Sequence, residues 1–326
     1  MNILGIDFED WFHPELIQKA KLQVEKEPKV IQGIHKILEL LRQKETKATF
    51  FVVGELLEYK PELLDLILEN EHEIAFHTMK HTRIDSLDMK EKFDNEIKIF
   101  NKLTNGKSKG FRAPSFSLNS DSSWVIDVLE KNDYVYDSSV VPAKTNLYGI
   151  PNADNKPYKI TRKNLENDSM EGKILEFPLL ITKFLGKKIP AAGGFYLRTL
   201  PSRIIENAIK SYEKNDIPGV FYIHSWELTP EFMPKIKLPK KDHFITFHNI
   251  NKAYSKASEG DLSGVVQYTD EPLVSSDFVR NPNSVIIDGL STIILEDNMV
   301  KVVGWYDNEW GYSCRTADLA EYISAS

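Results

Sequence analysis

The chain has very little cysteine: Cys314 is the one cysteine among 326 residues. A single cysteine excludes an internal disulfide and a cysteine-rich metal site. Long apolar runs and a signal-type N-terminus are also lacking, so no membrane span is predicted and a cytoplasmic protein is the expectation. Basic tracts are lacking too, and the net charge of −7 argues against a nucleic-acid partner.

What is present is an alternation of short apolar runs and amphipathic stretches through about residue 256. Such alternation predicts parallel strands with helices outside them, in either a doubly wound sheet or a barrel. The predicted strands are Ile3–Ile6, Ala48–Gly54, Glu73–Phe76, Gly110–Ala113, Tyr134–Asp137, Ile174–Phe177 and Val220–His224. The predicted helices are Val30–Gln43, Pro61–Glu69, Asp88–Leu103, Ser120–Lys131, Pro201–Lys214 and Phe247–Lys256. Lys144–Lys159, rich in proline, is predicted to be a long loop of the kind that often forms a lid.

Polar residues follow several of these strands. They are Asp7, Glu9 and Asp10 after the first strand, His77 and His81 after the third, Arg112 after the fourth and His224 after the last. Each is weak evidence alone, because strand-end carboxylates and surface histidines are common. Together they supply what amide hydrolysis needs: ligands for a metal ion that activates water, a carboxylate base, a cation to orient it and an acid for the departing amine.

These segments resemble the polysaccharide deacetylases of carbohydrate esterase family four. The resemblance rests on Asp7-Phe8-Glu9-Asp10, Ala48–Gly54, His72–His81, Phe111-Arg112-Ala113-Pro114-Ser115, Tyr136–Ser139 and Tyr222–Glu227. Tyr148–Pro151, Glu176-Phe177-Pro178 and Pro190–Arg198 resemble the subgroup associated with exopolysaccharide biosynthesis. The resemblance to the deacetylases covers residues 1 to about 256. It implies a distorted (β/α) barrel of about seven strands that removes N-acetyl groups from amino-sugar polymers or their precursors.

The resemblance also implies roles for individual residues. The expected catalytic residues are Asp7 as base, Arg112 as its orienting cation and His224 as acid; the expected metal ligands are Asp10, His77 and His81; the expected substrate contacts are Pro114, Asp137 and Trp226. Because the first motif is a variant, Glu9 stays an alternative to Asp7 or Asp10. The expected cofactor is a divalent metal, first Zn²⁺ and otherwise Co²⁺ or Ni²⁺, since such ligand sets accept several ions. An N-acetylated oligo- or polysaccharide is the expected partner.

Two departures from the family pattern carry expectations of their own. Ser225 stands where relatives often have proline, so the loop that carries His224 is expected to be looser. Glu71 replaces a glycine before His72, which a surface turn should tolerate.

From Ala257 onward the sequence resembles the C-terminal part of glyceraldehyde-3-phosphate dehydrogenase, most closely over Met299–Ser313. The chain has neither a glycine-rich dinucleotide turn at its first strand nor that family's nucleophilic cysteine, and Cys314 replaces an asparagine that helps hold the nicotinamide. Without a thiol nucleophile or a cofactor pocket the dehydrogenase reaction cannot run, so no NAD is expected. Residues 257–326 are therefore interpreted as an appended α+β fragment of chimeric origin.

Three other functions remain open at this stage. The first is another carbon–nitrogen hydrolase with a small cyclic amide or a nucleotide-linked sugar as substrate. The second is an inactive carbohydrate-binding module, and the third is a dehydrogenase fragment that serves as an assembly partner. A binding module has no use for an acid, a base and a metal site together, which favours the enzyme.

Overall fold

The chain folds as two compact units, Met1–Pro234 and Lys235–Ser326, in the computed structural model. The structure describes residues 2–19, 26–145, 147–184, 186–200, 202–229, 232, 251–295 and 299–325. The predicted domain border at residues 256 and 257 stays a prediction.

An eight-stranded sheet organises the first unit. The strands of this unit are β1 (Asn2–Phe8), β2 (Thr49–Val52), β3 (Glu73–Phe76), β4 (Gly110–Phe111), β5 (Tyr136–Asp137), β6 (Tyr158–Ile160), β7 (Ile174–Glu176), β8 (Ile181–Phe184), β9 (Lys187–Pro190) and β10 (Gly219–His224). The sheet order is β10-β1-β2-β3-β4-β5-β7-β6, while β8 and β9 form a separate hairpin. All neighbours in the sheet are parallel except β6, which runs antiparallel to β7. The seven parallel strands form a curled half-barrel, which confirms the predicted α/β class and distorted barrel.

Helices connect these strands and cover the sheet. They are α1 (Glu15–Lys19), α2 (Val30–Gln43), α3 (Gly54–Tyr59), α4 (Leu63–Glu69), α5 (Met89–Leu103), α6 (Val125–Lys131), α7 (Gly194–Thr199), α8 (Ser202–Lys214) and α9 (Ser225–Leu228). In α2, the buried positions Ile34, Ile37, Leu38 and Leu41 recur at helical spacing and face the sheet. The bounds of α2 agree with the sequence prediction.

The core is built from apolar strands that are buried on both faces, as parallel sheets require. Phe50 and Val52 of β2 are fully buried. The ring of Phe76 packs against Phe93 and Phe100 of α5 and against Phe111 of β4, with centroid distances of 4.6–5.9 Å. This packing holds the carboxyl ends of β3 and β4 together, where the polar residues begin.

The first unit differs from the sequence prediction in three places. The predicted loop Lys144–Lys159 ends in β6, an edge strand that directly follows Pro157 in a stretch without a clear period. The β8–β9 hairpin was not predicted. The predicted helix Ser120–Lys131 begins only at Val125, because the Asn119 side-chain oxygen accepts the backbone N–H groups of Asp121 and Ser122 and forms a turn.

The second unit contains a three-stranded sheet. Its order is β11 (Val266–Thr269), β12 (Val285–Leu295) and β13 (Met299–Trp305), with β11–β12 parallel and β12–β13 antiparallel. Residues 251–259 are helical, and α10 spans Trp310–Ala325. Of the predicted helix Phe247–Lys256, residues 247–250 lie outside the described residues. No helix among the described residues is long and apolar enough to span a membrane.

Candidate metal centre and active site

Glu9, His77 and His81 form a cluster of three buried donors. Each offers one ligand atom, and these atoms lie within 4.8 Å of one another. Glu9 follows β1, and the two histidines follow β3, so the parallel strands deliver all three residues to one edge of the sheet. Two imidazoles and a carboxylate are a donor set that suits a catalytic divalent ion.

The orientation of both imidazoles fits metal binding. His77 Nδ1 lies 2.7 Å from the carbonyl oxygen of Arg112, and His81 Nδ1 lies 3.0 Å from that of His13. A carbonyl oxygen only accepts, so each Nδ1 is the protonated nitrogen and donates. The lone pair of each ring is then on Nε2, which is the usual arrangement of metal-binding histidines. Burial lowers the pKa of His77 to about 4, which keeps it neutral.

Glu9 supplies a carboxylate oxygen without a hydrogen-bond donor. Its Oε1 accepts the indole N–H of Trp226 at 3.0 Å. Its Oε2 is buried and receives no hydrogen bond, although His81 Nε2 lies 2.7 Å away. Glu9 Oε2 and the Nε2 atoms of the two histidines thus lie together without a proton to share. Such a group of lone pairs fits a bound cation.

Asp10, the expected carboxylate ligand, lies outside this cluster. Its Oδ1 accepts the backbone N–H of Trp11 at 2.8 Å, and its Oδ2 accepts that of Val30 at 2.7 Å. Asp10 therefore satisfies the first backbone N–H of α2. The β1 strand ends at Phe8, and the Glu9 N–H bonds back to the Asp7 carbonyl, so strand alternation does not continue past that point. The structure thus brings Glu9, the alternative ligand, to the histidines in place of Asp10.

Asp7 and Arg112 form a buried ion pair beside the cluster. Arg112 Nη1 donates to Asp7 Oδ1 at 2.7 Å, and both side chains are at most 5% exposed. The guanidinium also donates from Nε to the Ser138 carbonyl and from Nη2 to Ser138 Oγ, each at 2.9 Å. A Cβ atom at Gly5 would lie only 2.6 Å from Arg112 Nη1, so glycine at this position leaves room for the guanidinium.

His224 lies next to Asp7, its register partner on β10. Its ring stacks on Trp226, with centroids 4.8 Å apart, and its Nε2 is 3.7 Å from Glu9 Oε1. Burial would lower the pKa of His224, but the contact with Glu227 and the charges of Glu9 and Asp7 outweigh it and raise the pKa to about 9.

Glu227 orients His224 and was not predicted as a site residue. Its carboxylate lies 3.2 Å from His224 Nδ1 and accepts the His224 backbone N–H at 2.9 Å. A Cβ atom at Gly194 would lie 2.2 Å from the Glu227 carboxylate, so that glycine permits the approach. The signal in the sequence is the three-residue spacing of a capping box at the start of α9, which only the helix boundary makes visible.

Ser225 anchors the loop that was expected to be looser. The residue is fully buried, and its Oγ accepts the Glu9 backbone N–H at 3.1 Å. The same hydroxyl donates to the Glu9 carbonyl at 2.6 Å. Serine here therefore joins the loop of His224 to the end of β1.

The three expected substrate contacts lie in different environments. Trp226 is partly exposed beside His224, whereas Pro114 is buried at the start of a 3₁₀ turn. Asp137 is fully buried against Glu176 and has no exposed surface for a substrate. Of the three, Trp226 is the one with exposed surface beside the cluster, and the three substrate contacts stay a prediction.

The arrangement has the parts of a hydrolase. A cluster of lone-pair donors lies beside a carboxylate paired with arginine on one side and an imidazole paired with glutamate on the other. Groups of these kinds can act as a base, an acid and a place for a cation around one reacting group.

Comparisons with known proteins match three families along the chain. Residues 25–136 match the family described as polysaccharide deacetylase, residues 138–260 match a domain of unknown function (DUF3473), and residues 238–308 match glyceraldehyde 3-phosphate dehydrogenase, C-terminal domain. The N-terminal part of the chain therefore contains a polysaccharide deacetylase domain, and the C-terminal part is a region like the C-terminal domain of the dehydrogenase. Both resemblances are confirmed.

Individual matches cover different shares of the chain. A solved structure from Mycobacterium smegmatis, described as that of a polysaccharide deacetylase, is 18% identical, covers 71% of this chain and 82% of that chain, and has a TM-score of 0.45. Glyceraldehyde-3-phosphate dehydrogenase 2 of Bacillus subtilis (strain 168) is 51% identical over 81 residues, which are 25% of this chain and 24% of the relative. The dehydrogenase of Priestia megaterium (strain DSM 319 / IMG 1521) is 55% identical over 84 residues, 26% of this chain and 25% of the relative. The chain spans about a quarter of the length of these dehydrogenases.

Proposed function

We propose that the first unit is a metal-dependent hydrolase that removes N-acetyl groups from amino-sugar units of a polysaccharide or its precursor. The observation that carries the proposal is the convergence of Glu9, His77 and His81, with both Nδ1 atoms bound to carbonyl oxygens, beside Asp7 and His224. The deacetylase family implies an acetylated carbohydrate as substrate.

Glu9, His77 and His81 would hold the ion, and Zn²⁺ is our first choice because imidazole and carboxylate ligands suit it, with Co²⁺ and Ni²⁺ as alternatives. A bound divalent ion would lower the pKa of a water molecule and polarise the acetamide carbonyl. Asp7 would serve as the base, because its carboxylate lies beside the cluster and can take a proton from an attacking water. Arg112 orients Asp7, since it donates to one carboxylate oxygen from a buried position.

His224 is the proposed acid. Glu227 and the stacked ring of Trp226 fix the imidazole next to Asp7, where it can donate a proton to the amine nitrogen as the carbon–nitrogen bond breaks. The products are acetate and the free amino sugar. Trp226 also donates to Glu9, so it supports the acid and a metal ligand together.

Chelation should abolish the reaction. We expect acetate release from N-acetylglucosamine oligosaccharides by the full chain, loss of release with a chelator, and recovery on addition of Zn²⁺ or Co²⁺. His77→Ala should lower kcat/KM more than about 100-fold, because removing a ligand costs more than the 10–100-fold typical of outer partners. The matched control is His35→Ala, an exposed histidine of α2 that should change nothing.

The same assay separates the competing functions. Release from a small cyclic amide but not from the oligosaccharide would favour the other carbon–nitrogen hydrolase. Oligosaccharide binding without release, in protein shown to contain metal, would favour a binding module and count against our proposal.

We also propose that residues 1–256 form the catalytic domain and that residues 257–326 are an appended fragment without a function of their own. The second unit leaves Trp310, Tyr312, Leu319 and Ile323 exposed along α10, as expected of a piece taken from a larger fold.

Removing the appended fragment should leave the chemistry intact. A chain that ends at Gly260, where the match to the DUF3473 domain ends, should release acetate with the kcat and KM of the full chain. Steady-state kinetics of both forms test this, with equal metal content as the control. A loss of kcat in a folded, metal-loaded truncated chain would show that the fragment contributes to the active domain.

A further inference from the structure

Asp137 and Glu176 place two carboxyl groups side by side in the interior of the barrel. They are register partners at the ends of the parallel strands β5 and β7, so their side chains project in the same direction. Both residues are 0% exposed. Neither the proposed ligands nor the proposed acid and base account for a buried acidic pair.

The hydrogen bonds leave one oxygen of each carboxyl group without a donor. Asp137 Oδ1 accepts the hydroxyl of Ser139 at 2.6 Å, and Glu176 Oε1 accepts the backbone N–H of Val140 at 2.9 Å. Asp137 Oδ2 and Glu176 Oε2 are buried without a partner of this kind. Two adjacent buried carboxylates cannot both ionise at low cost, so one proton between these oxygens is the arrangement that satisfies both.

The charged and titratable groups around the pair do not supply another proton. Arg112 follows β4, the strand next to β5, and its positive charge favours an ionised Asp137. Its hydrogen bonds, however, go to Asp7 and Ser138. Tyr158 of β6 faces both carboxyl groups, but its hydroxyl donates to the Leu165 carbonyl at 2.7 Å. Burial raises the pKa of both Asp137 and Glu176, and the negative charge of Asp137 raises that of Glu176 further.

The two carboxyl groups accept hydrogen bonds from Ser139 and Val140, in the same turn whose Ser138 binds Arg112. Ser139 Oγ donates to Asp137 and accepts the backbone N–H of Ala113 at 2.8 Å. The residue before Ser139 is Ser138, whose carbonyl oxygen accepts from Arg112 Nε and whose hydroxyl accepts from Nη2. Nη1 of Arg112 is then left to donate to Asp7. A chain of hydrogen bonds therefore runs from Glu176 and Asp137 through the turn to Arg112 and Asp7.

We propose that Asp137 and Glu176 share one proton and act as a positioning pair that fixes the turn at Ser138–Val140, and through it Arg112 and the base Asp7. This inference rests on the proposed function for its catalytic consequence, but the shared proton stands on the geometry alone. It also gives Asp137 a role other than the expected substrate contact.

The pair has a consequence for stability. Burial raises the pKa of Asp137 above its usual value of 3.8 and that of Glu176 above its usual value of 4.5. The folded chain therefore keeps a proton that the unfolded chain has lost. The free energy of unfolding therefore receives its full contribution at low pH and loses it as pH rises above about 4.5, through the folded pKa. Glu176→Gln should remove this decline, because the amide N–H replaces the shared proton.

The test compares Glu176→Gln, Glu176→Ala and Glu171→Gln, the last an exposed glutamate before β7 as the matched control. In the wild type we expect a protonated-carboxyl band in the infrared spectrum at pH 7, absent in Glu176→Gln and kept in Glu171→Gln. Urea unfolding from pH 5 to 9 should show the decline in wild type and control only. The Nε–H resonance of Arg112, assigned by its loss in Arg112→Lys, should persist in Glu176→Gln and shift or broaden in Glu176→Ala.

Kinetics give the second readout. Glu176→Ala should lower kcat by about 100-fold with KM unchanged, the size expected for a misplaced catalytic group, and Glu176→Gln should restore most of it. Absence of the infrared band, or an unchanged Arg112 resonance in Glu176→Ala, overturns the proposal. A wild type without acetate release, but with the band and the resonance change, refutes the proposed function and still supports the positioning pair.

Discussion

Asp7→Asn should lower kcat for acetate release by about 10²–10⁴-fold, the usual contribution of a positioned base. Asparagine keeps an oxygen that can accept from Arg112 Nη1, so the variant removes the basicity of the group and little else. Because Asp7 is not among the three residues whose donor atoms converge, bound metal should stay at the wild-type stoichiometry. The measurements are steady-state kinetics and metal content by atomic emission.

The control is Asp121→Asn, an exposed aspartate in the turn before α6 that should keep full activity. Near-ultraviolet circular dichroism checks that Asp7→Asn keeps its fold, since Arg112 is left without its anionic partner. A folded, metal-loaded Asp7→Asn with a kcat near that of the wild type would remove Asp7 as the base and leave Glu9 as the remaining candidate from the first motif.

Glu9→Gln and Asp10→Asn should separate the two carboxylates that the sequence left as rivals for the metal. Glu9→Gln should weaken divalent-ion binding by more than about 100-fold, because it removes the charged ligand while Trp226 keeps an acceptor. Asp10→Asn should bind the ion as the wild type does, because both Asp10 oxygens are used by backbone N–H groups. Isothermal titration of the metal-free proteins with Zn²⁺ measures both.

Asp10→Asn should instead lower the free energy of unfolding by about 1–2 kcal/mol, because a buried backbone N–H of Trp11 or Val30 loses its acceptor. Urea unfolding measures this effect, with Glu9→Gln for comparison. Loss of metal binding in Asp10→Asn with unchanged stability would restore Asp10 as the ligand and refute the cluster centred on Glu9.

Much of the fold follows from local patterns. Strands such as β2 and β3 are short apolar runs, and α2 has its apolar residues at helical spacing, so each is visible from a few neighbouring residues. The strand β6 was not visible, because this edge strand directly follows Pro157 in a stretch without apolar periodicity. Turn chemistry at Asn119 likewise shortened a helix that periodicity alone had extended.

Some residues of the candidate site could also be predicted from local sequence, and others could not. His77 and Arg112 directly follow strands and His224 ends one, so they could be predicted, because parallel strands bring their carboxyl ends to one edge. Glu176 and Glu227 were not predicted as site residues. Each acts through a contact that depends on a neighbouring element, Glu176 on β5 and Glu227 on the start of α9.

The sequence by itself determined the class of fold, the strand ends that hold the candidate site and the two families that the chain resembles, because these depend on local periodicity and on short motifs. Only the tertiary structure decided that Glu9 rather than Asp10 meets the histidines. That choice depends on where the chain turns after Phe8, and the turn is held by Ser225, whose hydroxyl bonds to Glu9 across a separation of 216 residues. A contact of that range has no period in the sequence, so the folded sheet had to bring β1 and β10 together before the carboxylates could be told apart.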